Sequence, residues 1–122
     1  MATGYHEEGL SQDAILLHRA ITSLIEELEA VDWYNQRADV TEDESLKAIL
    51  EHNRDEEKEH AAMLLEWIRR RQPALDEELK TYLFTEGSIT EIEESGEGEE
   101  SSGGAEQSAN DSLGIGNTRK GR

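Results

Sequence analysis

Glu57 and His60 are the residues whose types and spacing point most directly to chemistry. On a helix, side chains three residues apart lie on the same face, one above the other. Apolar residues continue the same spacing on either side of the pair, at Leu46, Leu50 and Leu64. An unpaired carboxylate in a buried apolar stripe costs several kcal/mol of desolvation. The sequence therefore predicts a compensating partner at this position.

A pair of metal ions is the partner that this pattern favours. Glu-x-x-His is a ligand motif of di-iron carboxylate sites in helical bundles, where a lone Glu from each of two other helices completes the coordination. Glu27 fits the lone position, because it falls about 60° from the centre of the apolar stripe of the first helix. One chain thus offers Glu27, Glu57 and His60, and a second copy would have to supply the same three residues again. Oxygen and nitrogen ligands of this kind suit iron, and they also accept Ca²⁺, Mn²⁺ or Zn²⁺.

Charge balance favours a two-fold pair of chains. Two copies bring four carboxylates and two neutral imidazoles, and two divalent ions neutralise that total. The alternative is that Glu57 and His60 are ordinary bundle residues satisfied by Arg54, Lys58 or Arg69. A lone Glu-x-x-His has many chance matches. The position inside the apolar stripe, the facing Glu and the shortage of basic partners favour the metal hypothesis.

A second group of residues lies on the opposite face of the first helix. Glu26, Glu29 and Trp33 fall within about 60° of one another. They indicate either a second subunit interface whose acids attract cations, or a solvated face with an isolated Trp. Tyr34 lies near the Glu27 edge, where it either supports the metal ligands or packs in the core.

Two long helices position these residues. Apolar residues spaced four and three apart predict the first helix from about Ser11 to Ala38. Thr41 and Glu44 form a predicted capping box that begins the second helix. That helix ends near Arg71, because the residue before Pro73 resists the α conformation.

A shorter helix is predicted from Leu75 to Phe84, ended by Gly87, with one further turn capped by Ser88 and Glu91. No strand pattern is present. The predicted fold is all-α: an antiparallel two-helix hairpin plus a short C-terminal helix. Since two helices cannot cover both apolar stripes, we expect dimerisation into a four-helix bundle.

Composition narrows the classes of partner. The 122 residues include 29 acids and 12 bases, for a net charge of −17, and no Cys. Such a charge argues against nucleic acid or an anionic membrane as the main partner, and it suits cation binding. The first ten residues lack the layout of a signal peptide, and no apolar run could span a bilayer. We therefore expect a soluble cytosolic protein.

Four regions follow from the pattern of the chain. We predict a flexible N-terminus over 1–10, a helical hairpin domain over 11–93, an acidic Gly/Ser-rich linker over 94–111 and a separate C-terminal peptide over 112–122. Two aliphatic residues return in this peptide, in the segment Leu113-Gly114-Ile115-Gly116. A short apolar-glycine peptide on a tether is able to dock in a groove as an extended segment.

Three segments, at 26–34, 52–63 and 82–87, closely resemble the encapsulated ferritins, and the resemblance covers about residues 14–93. It implies a two-helix protomer that pairs into a four-helix ferritin-like site and then forms a ring-shaped homodecamer. It implies ferroxidase activity, with iron held at the dimer interface by Glu27, Glu57 and His60 of both chains, for iron storage. It assigns Glu26 and Glu29, beside Trp33, to a secondary metal site on the route of incoming cations. It also implies that the Leu113–Gly116 segment binds the inner wall of an encapsulin shell, so that the protein acts inside a cytoplasmic nanocompartment. A non-catalytic, metal-dependent helical cargo or assembly protein is the alternative.

Overall fold

The computed structural model describes residues 4–100, and this part of the chain is helical with no strand. Four helices follow in order: α1 (Gln12–Val40), α2 (Glu44–Arg71), α3 (Pro73–Tyr82) and α4 (Ile89–Glu100). The all-α prediction is confirmed, and the arrangement fits a ferritin-like helical fold. The predicted C-terminal peptide at 112–122 lies outside the described residues.

The start of α1 agrees with the sequence analysis. Ser11 is the N-cap, and its side-chain oxygen accepts a hydrogen bond from the backbone N–H of Ala14 at 3.1 Å. The helix continues two residues past the predicted end at Ala38 and finishes at Val40. Ahead of the helix, the ring of Tyr5 lies 4.7 Å from the ring of His18, so the N-terminal segment contacts α1.

The capping prediction for α2 is wrong in its residue. Asp43 is the residue that caps the helix, since its carboxylate accepts a hydrogen bond from the backbone N–H of Leu46 at 2.9 Å. The Thr41 hydroxyl instead donates to the carbonyl oxygen of Arg37 at 2.6 Å, which places it at the end of α1. Thr41 therefore closes α1, and Asp43, two residues later, opens α2.

The long helices form an antiparallel hairpin. Asn35 accepts a hydrogen bond from Arg54 at 3.1 Å, and further along the hairpin Glu27 lies 3.5 Å from His60. Residue numbers therefore decrease along α1 in the direction in which they increase along α2. The buried apolar side chains of these helices are mostly small. They are Ala20, Ala38, Ala61 and Ile68. Small residues let two helices approach closely, but they bury little apolar surface.

Large apolar side chains remain exposed on the hairpin. Leu28 is 53% exposed, Ile49 54% and Met63 59%. Exposed large apolar side chains that cluster on one surface mark a site of interaction with another protein. The hairpin by itself therefore resembles part of a larger helical core.

The chain divides into two compact units, of which the second begins at Gln72. In this unit Pro73 occupies the start of α3, where its missing N–H costs nothing. Phe84, with φ of 65°, and Gly87, with φ of 94°, turn the chain between α3 and α4. The Ser88 hydroxyl accepts from the backbone N–H of Glu91 at 3.4 Å, which confirms the predicted cap.

α4 continues well beyond the single predicted turn and reaches Glu100, into the first residues of the predicted linker. The rest of that segment, 101–111, lies outside the described residues. Over the described part of the chain, the helices are too short or too polar to cross a bilayer.

Candidate metal centre

Glu27, Glu57 and His60 come together on the hairpin as the sequence predicts. Each offers a ligand atom, and these atoms all lie within 4.8 Å of one another. The His60 Nδ1 lies 3.2 Å from Glu57 Oε1 and 3.5 Å from Glu27 Oε1. Among the described residues, this is the one group of three carboxylates or imidazoles close enough to hold a metal ion.

The helix geometry explains why these three side chains meet. Glu57 and His60 share a face of α2 because they are three residues apart. Glu27 lies at the edge of the buried face of α1 and points across to them. All three side chains are partly covered, with exposed fractions of 24% for Glu57, 27% for Glu27 and 42% for His60. They remain accessible enough to bind an ion from solution.

The protonation states of the three groups depend on one another. A hydrogen bond to Glu57, with burial and the negative charge of Glu57, raises the pKa of Glu27 above its ordinary value. The same hydrogen bond lowers the pKa of Glu57, with a further contribution from His60. The hydrogen bond to Glu57 raises the pKa of His60, and the charges of both acids add to this effect. Proton binding at each of the three groups therefore affects the pKa values of the other two.

Basic residues do not satisfy this group, so the alternative of an ordinary ion-paired cluster finds no support. Arg54 and Lys58 both pair with Asp55, at 3.0 Å and 3.2 Å. Arg69 forms an ion pair with Glu66, with 2.7 Å between Arg69 Nε and Glu66 Oε1. The donor set of two carboxylate groups and one imidazole fits a divalent metal of the iron, manganese or zinc type.

The cluster opens onto a cavity in the groove between α1 and α2. The cavity has a volume of about 650 Å³ and is lined mostly by apolar side chains, with Glu27 and His60 among the polar ones. Leu16, Met63 and Trp67 form part of its wall. An open apolar groove beside polar ligands is the shape of an interface that another helix pair could fill.

The second predicted group does not form a site within one chain. Glu26 and Glu29 are exposed on α1, and Trp33 is 56% exposed. Trp33 lines a smaller cavity with Gln36 and Arg37, away from the two acids. A secondary metal site at these residues stays a prediction that requires a second copy of the chain.

Tyr34 is half-buried, and its ring lies 5.7 Å from the guanidinium carbon of Arg37. A supporting role at the metal ligands stays a prediction. His52 pairs with Glu56 at 3.8 Å, as its spacing indicates.

Two cavity residues were missed by the sequence analysis. Arg19 and Ser23 line the same cavity as Glu27. Arg19, Ser23 and Glu27 are four residues apart in turn, which places them on one face of α1. This spacing is the only signal in the sequence for Arg19 and Ser23, and many exposed helix positions share it.

Comparisons with known proteins agree with the geometry. The family model described as EncFtn-like matches residues 3–86, which includes most of the N-terminal segment. An encapsulated ferritin-like protein of Rhodospirillum rubrum is 54% identical over 117 residues, covering 92% of this chain and 84% of that protein. A ferritin-like protein of Thermotoga maritima is 56% identical over 120 residues, covering 94% of this chain and 97% of that protein.

A solved structure agrees as well. The crystal structure of protein ne0167 from Nitrosomonas europaea is 65% identical in sequence, with a TM-score of 0.69, and the match covers 71% of this chain and 98% of that one. The resemblance seen in the three sequence segments is confirmed, and the chain belongs to the EncFtn-like family of encapsulated ferritins.

Proposed function

We propose that the chain is a ferroxidase, which oxidises Fe(II) to Fe(III) with O₂ at a di-iron site across a homodimer interface. One observation carries the proposal: Glu27, Glu57 and His60 place their ligand atoms within 4.8 Å of one another at the edge of an open apolar groove. Each of the two Fe(II) ions gives up one electron, and O₂ takes up both electrons together with protons from solvent. Carboxylate oxygens are hard ligands and favour the ferric product over the ferrous substrate.

Two features support a site shared between two copies. One chain supplies only three ligand residues, which is half of the set that helical di-iron sites use. The groove beside them also leaves Leu16 and Met63 37% and 59% exposed. A second copy packed on this groove covers the apolar wall and completes the coordination at the same time.

The residues take distinct roles in this proposal. Glu27 and Glu57 would supply carboxylate ligands to the two iron ions, and His60 would supply an imidazole ligand to each. Any proton bound to these groups must leave when Fe(II) binds, because metal ligands are deprotonated. Glu26 and Glu29, beside Trp33, attract cations toward the site from the outer face of α1.

We propose that the ferric product is stored inside an encapsulin shell. The Rhodospirillum rubrum relative is named an encapsulated ferritin-like protein. The Leu113–Gly116 segment of this chain has the apolar-glycine character of a peptide that docks on a shell wall. A small helical bundle without a cage of its own would need such a shell to retain mineral.

The test is O₂ consumption after Fe(II) is added to the metal-free protein. We expect Glu57→Ala and His60→Ala to slow oxidation by about tenfold or more, because each removes a ligand. Glu59→Ala is the matched control, since Glu59 is an exposed acid on the same helix outside the cluster. Wild-type rates in both ligand variants would refute the assignment. Metal-dependent assembly without O₂ consumption, supported equally by Zn²⁺, would instead indicate a non-catalytic cargo protein.

A further inference from the structure

Glu56 lies between two imidazoles on one face of α2. It follows His52 by four residues and precedes His60 by four, and residues four apart are neighbours on a helix surface. Glu56 Oε2 lies 3.8 Å from His52 Nε2, and Glu56 Oε1 lies 4.0 Å from His60 Nε2. The carboxylate is thus directed at the ring of a predicted metal ligand, although Glu56 lies outside the group of Glu27, Glu57 and His60.

The two ring nitrogens of His60 face different carboxylates. Nδ1 lies 3.2 Å from Glu57 Oε1 and 3.5 Å from Glu27 Oε1, whereas Nε2 lies on the side of Glu56. A metal ion that binds these two acids of the cluster therefore meets Nδ1, and the proton of the neutral ring then stays on Nε2. Metal-binding imidazoles generally donate their second N–H to a carboxylate, a carbonyl or water, which fixes the tautomer and the orientation of the ring.

We propose that Glu56 is a positioning residue for His60, whose Nε2–H donates a hydrogen bond to the Glu56 carboxylate when Nδ1 binds a metal ion. The distance of 4.0 Å exceeds a hydrogen bond by about 1 Å, and rotation of an exposed side chain closes a gap of this size. Arg54 and Lys58, the nearest arginine and lysine in the sequence, do not compete for this carboxylate, because both pair with Asp55.

The role of Glu56 at an iron site rests on the proposed function. With its ring held in the Nε2–H tautomer, His60 presents Nδ1 to an arriving ion, and the hydrogen bond to a carboxylate makes this nitrogen a stronger ligand. Without Glu56, the ring exchanges between tautomers and orientations, so that part of the metal affinity is lost. A negative charge near the site also attracts cations without any contact, and the variants must separate these two effects.

Titration of Zn²⁺ into the metal-free full chain, followed by NMR of isotope-labelled histidine nitrogens, tests the role. We expect Zn²⁺ on Nδ1 and a proton on Nε2 of His60 in the wild type. In Glu56→Ala, the Zn²⁺ affinity at His60 should fall by about tenfold or more, with coordination divided between the two nitrogens. Glu56→Gln should retain most of the affinity, because its amide oxygen accepts the same hydrogen bond without a charge.

Glu59→Ala is the matched control, since it removes an exposed acid that is next to His60 in the sequence and outside the cluster. It should bind Zn²⁺ at His60 with nearly the affinity of the wild type. Circular dichroism checks that each variant is folded.

Three results would overturn the proposal. They are Zn²⁺ coordination through Nε2 of His60 in the wild type, unchanged affinity and coordination in Glu56→Ala, and equal losses in Glu56→Ala, Glu56→Gln and Glu59→Ala. The last would reduce the effect of Glu56 to its charge. Zn²⁺ does not change its oxidation state, so these results do not depend on iron oxidation. A wild type that behaves as expected with Zn²⁺ but consumes no O₂ would support the role of Glu56 and refute the ferroxidase proposal.

Discussion

At the scale of single residues, the proximity of Glu57 and His60 was predictable, because their spacing places a carboxylate and an imidazole on one helix face. Glu27 was predictable from its angle to the apolar stripe, and the structure brings it to 3.5 Å from His60. Arg19 and Ser23 were not predictable, because nothing in their spacing distinguishes them from exposed helix positions. They are recognised only from the groove that α1 and α2 form together.

Metal binding at the cluster should weaken as the pH falls. A metal ion competes with protons for the three side chains, and the pKa of His60 is raised above its ordinary value of 6.5 while that of Glu27 is raised above 4.5. Affinity should therefore be full above the raised pKa of His60, begin to fall as the pH drops through it, and fall again in the acid range as Glu27 protonates.

Titration of Zn²⁺ at a series of pH values measures this dependence. His60→Gln should bind more weakly and lose the change that lies near neutral pH. If the affinity of the wild type stays constant from alkaline pH to below 6.5, protons do not compete at this site and His60 is not a ligand.

At the scale of helices, the boundaries followed from the sequence where one signal dominated. Ser11 opens α1 and α2 ends at Arg71 before Pro73, as predicted. The third helix was placed two residues too late at each end, since α3 runs from Pro73 to Tyr82 rather than from Leu75 to Phe84. The start of α2 was assigned to the wrong residue because Thr41 and Asp43 are both good caps, and the local sequence does not separate them. The choice depends on where α1 ends, since the Thr41 hydroxyl is used by the carbonyl oxygen of Arg37.

Removing the observed cap should cost more stability than removing the predicted one. We expect Asp43→Ala to lower the free energy of unfolding by about 0.5–2 kcal/mol, because the backbone N–H of Leu46 loses its acceptor. Thr41→Ala should lower it by a few tenths of a kcal/mol, since its hydroxyl is exposed. Urea denaturation of both variants, followed by circular dichroism, provides the comparison. A larger loss in Thr41→Ala than in Asp43→Ala would restore the capping box.

At the scale of the whole molecule, the described part of the chain buries too few apolar side chains to form a stable hydrophobic core without a second chain. Its buried apolar residues are three alanines and one isoleucine, whereas many large apolar side chains stay exposed. Composition and helix count predicted this shortage. They did not predict the length of α4, since glycines at 96 and 98 indicate a flexible segment, whereas the helix continues to Glu100.

The C-terminal peptide should act independently of the helical site. Deletion of residues 112–122 should abolish loading into a co-expressed encapsulin shell, because the Leu113–Gly116 segment is removed. Fe(II) oxidation by the truncated protein should be unchanged, since the cluster lies on α1 and α2. Co-purification of the truncated protein with shells at the wild-type level would disprove the targeting role.

The central claim is that two copies of a thin hairpin each contribute half of one iron site. Anomalous scattering at the iron edge from iron-soaked crystals tests it most directly. The account predicts a pair of iron peaks between two chains, in contact with Glu27, Glu57 and His60 of both. A pair of iron ions held within a single chain, or iron bound only at other side chains, would contradict it.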